Sequence, residues 1–203
     1  MSALPTGTVY GALLNQRSEF DALAPQMHDA PYKAPPRAPV LYIKTANTFS
    51  PAGAAIAVPV HVPEVEIGAT VGLLIGDGGA IQGCMLMNDL SVPHASFYRP
   101  PVRFRCLDGF LGVGADVHVT DPATVQIEVR INGALRQTVG FDALVRPPTQ
   151  LLADVAEFMT LAAGDVLMLG CAAPRPRARA GDHIELRSAA LGTLAHTLIE
   201  QAP

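Results

Sequence analysis

The chain predicts a mainly-β α+β fold, and three observations carry that reading. Short apolar or alternating runs recur from end to end, broken by glycine and proline, which number 18 each, a composition rich in turns. Only two stretches show the i, i+3, i+4, i+7 spacing of a helix with one buried face. Residues 124–131 (TVQIEVRI) alternate strictly and run through Asn132-Gly133 into residues 135–139, the signature of a hairpin with a type I′ turn.

Taken in order, residues 6–15 (TGTVYGALLN) read as a first strand. A short amphipathic helix follows, with Ser18 as its cap, Asp21 three residues on, and Phe20, Leu23, Ala24 and Met27 on one face. Pro25 shortens it. Residues 31–39 (PYKAPPRAP) form a stiff, extended connector. Residues 40–44 (VLYIK) are a strand, and 57–62 (AVPVHV) an extended run whose prolines confine it to an edge or bulge. Residues 71–75 (VGLLI) and 84–87 (CMLM) are continuously apolar, as strands buried on both faces are, and the second delivers Asn88-Asp89 at its end. Residues 77–79 and Asp108-Gly109 are turns. Residues 91–101 are a loop carrying His94, Tyr98 and Arg99, and 102–106 read as extended. The second helix holds Leu151, Leu152, Val155, Phe158 and Met159, starting after Pro147-Pro148 and ending near Gly164. Residues 165–170 are a buried strand, 172–181 a basic, proline-broken loop whose Arg175, Arg177 and Arg179 read as solvated, and 182–187 and 192–199 closing strands. Strands do not alternate with helices, so the sheet is mixed or rolled rather than a series of βαβ units. Residues 1–50 are expected to pack as a small N-terminal lobe on a β-rich unit of residues 51–203.

The net charge of −4 and a pI of about 5.8 argue against nucleic acid as a general partner. No apolar run reaches membrane-spanning length, and residues 1–11 lack the pattern of a secretory signal. Cys84, Cys106 and Cys171 are widely spaced with no CxxC, which fits buried thiols in a reducing cytoplasm. The histidines show no zinc-ligand spacing.

Chemistry concentrates between residues 63 and 105. Glu64 and Glu66 stand at i, i+2, so on an extended chain they share a face. Joined by Asp89 from a neighbouring strand, they would make an all-oxygen site for a hard cation such as Mg²⁺.

VGLLIG, MLMNDLS, RINGALRQ, AEFMTLAAGDVLMLG and AGDHIEL with LGTL resemble, in order, the fumarylacetoacetate hydrolase superfamily. PYKAPPRAPVLYIKTANT, NDLSVPHASFYRPP and DGFLGVG are most similar to the N-terminal half or subunit of the bifunctional isomerase/decarboxylases of 4-hydroxyphenylacetate (homoprotocatechuate) degradation. The resemblance implies a mixed β-sandwich roll with few helices. It also implies a site for small 2-oxo acids, 5-oxopent-3-ene-1,2,5-tricarboxylate and 2-hydroxyhepta-2,4-diene-1,7-dioate, with Mg²⁺ or Mn²⁺ stabilising an enolate in metal-bearing members. In those members an E-x-E pair lies eight and six positions before the glycine that ends the buried strand. Counting back from Gly76 reaches Gly68 and Thr70, with Glu64 and Glu66 about 13 Å too early along an extended chain. Asp89 matches the third ligand. The general-base histidine would fall at residues 15–17, where none stands, the lysine before Ser-x-Asp is Arg105 before Cys106-Leu107-Asp108, and Thr-Gly-Thr-Pro is residues 169–172, LGCA. By resemblance the chain has no cofactor of its own. Asp89, Arg105 and Asp108 are its catalytic candidates, and Arg17, Lys44, His94, Tyr98 and Arg99 candidates for holding a di- or tricarboxylate. Its partner is a homologous, metal-bearing C-terminal subunit or a second copy of the chain. The alternatives are a non-catalytic scaffold, or an independent metal-dependent hydrolase or decarboxylase using Glu64, Glu66 and Asp89.

Overall fold

The two continuously apolar runs become the middle of a curled sheet with both faces covered. The computed structural model describes residues 4–94 and 102–202. Along the chain lie β1 (Val9–Leu13), α1 (Arg17–Leu23), β2 (Val40–Lys44), β3 (Phe49–Pro51), β4 (Ala55–Val58), β5 (Val65–Glu66), β6 (Ala69–Ile75) and β7 (Ile81–Asp89). Then come α2 (Val102–Arg105), β8 (Leu111–Val113), β9 (Gln126–Ile131), β10 (Ala134–Gly140), α3 (Pro148–Ala156), β11 (Val166–Met168), β12 (Arg177–Ala178), β13 (His183–Ser188) and β14 (Gly192–Glu200). A seven-stranded sheet runs β2-β1-β11-β6-β7-β8-β3, a five-stranded sheet runs β10-β9-β13-β14-β4, and β12 pairs with β5. Strands from the first 50 residues thus share a sheet with β6, β7, β8 and β11.

Alternation sorts the core into two layers. Val71, Leu73, Ile75, Leu86 and Leu167 of the large sheet meet Ile127, Val129, Ile184, Leu186 and Leu194 of the smaller one. The opposite face of the large sheet, with Met85, Met87, Val166 and Met168, packs under Leu23, Met27 and Tyr42. The hairpin turns at Asn132 and Gly133 with φ of 51° and 80°, as a type I′ turn requires.

Several elements differ from the sequence reading. Ser18 is not the cap: the first helix starts at Arg17 behind Gln16, two residues early, where the Gln16 side chain is tied to the Gly140 carbonyl at 3.0 Å. The Ser18 hydroxyl instead accepts from Ala173 N–H. Residues 102–105 are a helical turn rather than extended, since that turn carries Arg105 inward and sets Phe104 against His94. The second long helix ends at Ala156, leaving Phe158 58% exposed. Beyond it the Asp165 carboxylate gathers Thr8 and Ala162 N–H groups into a non-helical turn. Cys84 and Cys171 are buried and Cys106 half-buried, all three free. No helix among the described residues is long and apolar enough to cross a membrane.

His196 on β14 is 1% exposed and hydrogen-bonds the Pro51 carbonyl. Burial lowers its pKa from 6.5 despite that bond. The unfolded chain therefore takes up this proton first, and stability should be full above pH 6.5 and fall as the pH drops below it. The unfolding free energy of His196→Gln is expected to show a shallower pH slope between about pH 5 and 7 than the parent, measured by urea unfolding at stepped pH.

Candidate functional site

The end of β7 places Asp89 in the interior, 0% exposed. Tyr42 and Lys44, at i and i+2 on β2, point the same way, and both reach it. Tyr42 can do so because its ring crosses β1 at Gly11, where a Cβ would lie 2.1 Å from the ring. The Tyr42 hydroxyl donates to Asp89 Oδ2. Lys44 Nζ lies 3.0 Å from Asp89 Oδ1 and also donates to the carbonyls of Phe110 (2.8 Å) and Arg105. Arg105, at the end of α2, places Nη1 2.5 Å from Asp89 Oδ2 and 3.2 Å from the Tyr42 hydroxyl. Its guanidinium carbon sits 4.7 Å from the centre of the Tyr42 ring. Both carboxylate oxygens of Asp89 are therefore engaged by cations whose side chains are 0% and 1% exposed.

The electrostatics follow from burial and these pairs. Burial alone would raise the Asp89 carboxyl, but Lys44, then Arg105 and Arg175, outweigh it and hold the group well below the usual carboxylate range. Burial pushes the Tyr42 phenol well up, and Asp89 adds to the effect. Burial also drives the Cys171 thiol, 3.9 Å from Asp89, to about 12. Both groups stay neutral.

Above this group opens a cleft of about 460 Å³. Arg105, Arg175 and Arg177 line it together with Glu19, Glu66 and His94. Glu19 of α1 accepts from Leu14 N–H (2.6 Å) and pairs with Arg175 at 2.9 Å, with the side chains 4% and 6% exposed. Arg175 thus corrects the reading of a wholly solvated basic loop. His94 stacks on Phe104 with centroids 4.9 Å apart, and its Nδ1–H faces the Val92 carbonyl at 2.9 Å. Burial, reinforced by Arg105 and Arg175, lowers its pKa more than the Val92 bond raises it.

The structure brings together Asp89, Arg105 and Lys44, and sets His94 on the cleft wall. Arg17 lies outside the cleft lining, with its guanidinium 5.7 Å from the Phe20 ring. Asp108 is exposed, accepts from Asn47 Nδ2 (2.6 Å), and also lies outside the lining. Tyr98 and Arg99 fall outside the described residues. Glu19, Tyr42 and Arg175 escaped the sequence reading. For Tyr42 the signal was present, two positions before Lys44 on an alternating strand.

A divalent cation does not fit the described residues. β6 and β7 keep one register from Leu74↔Gly83 to Ala69↔Asn88. Gly68 continues it by accepting from Asp89 N–H, and Glu66 pairs with Ser91. The irregularity in this pairing lies at the far end, between Leu74 and Ile75. Glu66 is thus held two positions past the residue facing Asp89, about 7 Å away along the strand. Glu64 and Glu66 face Arg177 instead, at 3.5 and 3.8 Å. The two positions matching the E-x-E pair hold Gly68, opposite Asp89 and without a side chain, and Thr70, which pairs with Met87 and whose hydroxyl donates to the Gly170 carbonyl at 2.7 Å. Mg²⁺ and Mn²⁺ take several oxygens at once. Here the one matching carboxylate is already shared by an ammonium and a guanidinium, and no cluster of three His, Cys, Asp or Glu ligands forms among the described residues.

Residues 8–199 match the Fumarylacetoacetate (FAA) hydrolase C-terminal family. The 4-hydroxyphenylacetate degradation bifunctional isomerase/decarboxylase of Escherichia coli is 33% identical over 205 residues, covering 96% of this chain and 48% of that protein. The chain therefore spans about half the length of that relative. The oxaloacetate tautomerase of Caenorhabditis elegans is 28% identical, covering 74% of this chain and 78% of that one. Among solved structures, the 5-carboxymethyl-2-hydroxymuconate delta-isomerase of Mycobacterium smegmatis superposes with a TM-score of 0.83 at 20% identity, over 100% of this chain and 82% of its own. It corroborates the fold.

Proposed function

The chain belongs to the fumarylacetoacetate hydrolase family, and from that premise we propose that it is one component of an isomerase/decarboxylase of aromatic-acid breakdown, with a metal-free site of its own. Its substrates would be 5-oxopent-3-ene-1,2,5-tricarboxylate and the dienol 2-hydroxyhepta-2,4-diene-1,7-dioate. The metal-dependent step would belong to a homologous, Mg²⁺- or Mn²⁺-bearing partner unit, or the chain would pair with its own copy, in the cytoplasm in either case.

One observation carries this reading: the carboxylate matching a metal ligand is closed by Lys44 and Arg105 at the floor of an arginine-lined cleft. Arginines suit di- and tricarboxylates because each planar fork can take a carboxylate through two parallel bonds. Moving a dienol to its keto form takes a proton from oxygen and delivers one to carbon, which is acid–base work. His94 is the candidate carrier. With Nδ1–H turned to the Val92 carbonyl, the neutral ring keeps its lone pair on Nε2, and its lowered pKa keeps it neutral near pH 7. Arg105, Arg175 and Arg177 would anchor the carboxylates. The scaffold reading draws support from the Glu19–Arg175 pair, an internal carboxylate already seated on one of these arginines.

The test is an assay of the chelator-treated chain on the dienol, alone and mixed with the homologous second half. Ketonisation by the chain alone without metal, abolished in His94→Gln, is the expected result. No activity alone and no change in the partner's rate would overturn the proposal in favour of a scaffold.

A further inference from the structure

The buried group at the cleft floor does not balance its own charge. Lys44 and Arg105, 0% and 1% exposed, share the single carboxylate of Asp89. Tyr42 and Cys171 beside them are neutral, and Arg175 is matched by Glu19. One positive charge is left over in the interior, an arrangement that is costly until an anion meets it.

Arg105 also has unused donors. Nη1 makes its hydrogen bonds to Asp89 and Tyr42. Nε–H is buried without any hydrogen-bond partner, and Nη2 bonds to no described residue. These two groups form one edge of the guanidinium plane, the edge that receives a carboxylate through paired N–H···O bonds. Arg105 lines the cleft although it is almost wholly buried. Its other side is fixed by Asp89 and by the Tyr42 ring at 4.7 Å, which settles the orientation of the fork.

We infer that the Nε/Nη2 edge of Arg105 is a preorganised, metal-independent carboxylate site at the floor of the cleft, where a small organic acid anion completes the Lys44–Asp89–Arg105 charge group. The inference depends on the proposed function only for the kind of acid the site meets. The ligand supplies the second negative charge, so two cations then face two carboxylates. Asp89 acts here as a positioning residue that aims the fork.

Calorimetric titration of the chelator-treated protein with oxalate tests the site directly. Binding is expected without added metal, and Arg105→Lys, which keeps the charge but loses the fork, should weaken it by about tenfold or more. Should Arg105→Lys fold poorly, a protein labelled with ¹⁵N at arginine Nε gives a second readout. A slowly exchanging Arg105 Nε–H resonance should shift on addition of oxalate to the parent protein. Binding without turnover of the dienol would support the site even while removing the isomerase reading. Oxalate binding that appears only with Mg²⁺ or Mn²⁺, or no binding at all, would overturn the site.

Discussion

Asp89→Ala is expected to lower the unfolding free energy by about 3–5 kcal/mol, because breaking a buried ion pair leaves its partner's charge uncompensated. Here two partners are stranded: the Lys44 ammonium and the Arg105 guanidinium, both out of contact with water. The sign separates two views of the residue. In an empty carboxylate metal site, removing one acid relieves repulsion and stabilises the protein without metal. In the group described above, removing the acid leaves two cations facing each other. The pH dependence of the variant sharpens the test. Burial already lowers the pKa of Lys44, and Asp89 opposes that fall. Without Asp89 the pKa drops further, so the unfolded chain holds this proton over a wider range. Stability of the variant should therefore rise with pH up to the ordinary lysine pKa of about 10.4. The deficit relative to the parent, measured by urea unfolding, should shrink as the pH rises toward that value. An unchanged or raised stability at neutral pH would refute the account of Asp89 as the centre of an ion cluster.

The parts legible in the sequence are those set by short-range rules. Residues 71–75 and 84–87 read as strands buried on both faces because neither offers a polar side chain, and they became the centre of the large sheet. Asn132-Gly133 specified its turn because few residues accept positive φ at both central positions. The register at Gly68 and Thr70 followed from counting along a strand, since a two-residue period leaves little freedom between Gly76 and the residue facing Asp89. What composition could not show was pairing across the chain. Arg175 sits in a basic, proline-broken stretch that reads as solvated, yet it is buried because Glu19, 156 positions away, meets it. The helical turn at residues 102–105 has weak local preference for helix and is fixed by where Arg105 and Phe104 must go. Strand propensity loses to such tertiary contacts when a segment is this short.

Gly68→Ala should cost about 1–3 kcal/mol or more through overpacking. A Cβ at Gly68 would lie 2.2 Å from the Asp89 carbonyl oxygen and 3.0 Å from the Cys171 sulfur. The nearest obstacle is backbone, so no side chain can turn aside to make room. The same contact bears on rebuilding a metal site. Placing glutamates at positions 68 and 70 would restore the E-x-E spacing in sequence, but the space beside Asp89 is taken up in this chain. Cys171 occupies one side, the Gly170 carbonyl holds the Thr70 hydroxyl, and Lys44 and Arg105 cover both oxygens of Asp89. Gly68→Glu with Thr70→Glu is therefore expected to fold poorly and to gain no Mn²⁺-dependent rise in Tm. Binding of Mn²⁺ by that variant, with the parent's stability retained, would mean that the ion group yields to a metal. Adding Lys44→Met and Arg105→Met to the two glutamates removes the competing cations but leaves the Gly68 clash. If the backbone contact is the dominant obstacle, this fourfold variant should remain as unstable as Gly68→Glu alone. Recovery of stability with Mn²⁺ would instead assign the obstacle to the two cations, which thermal unfolding with and without the metal distinguishes directly.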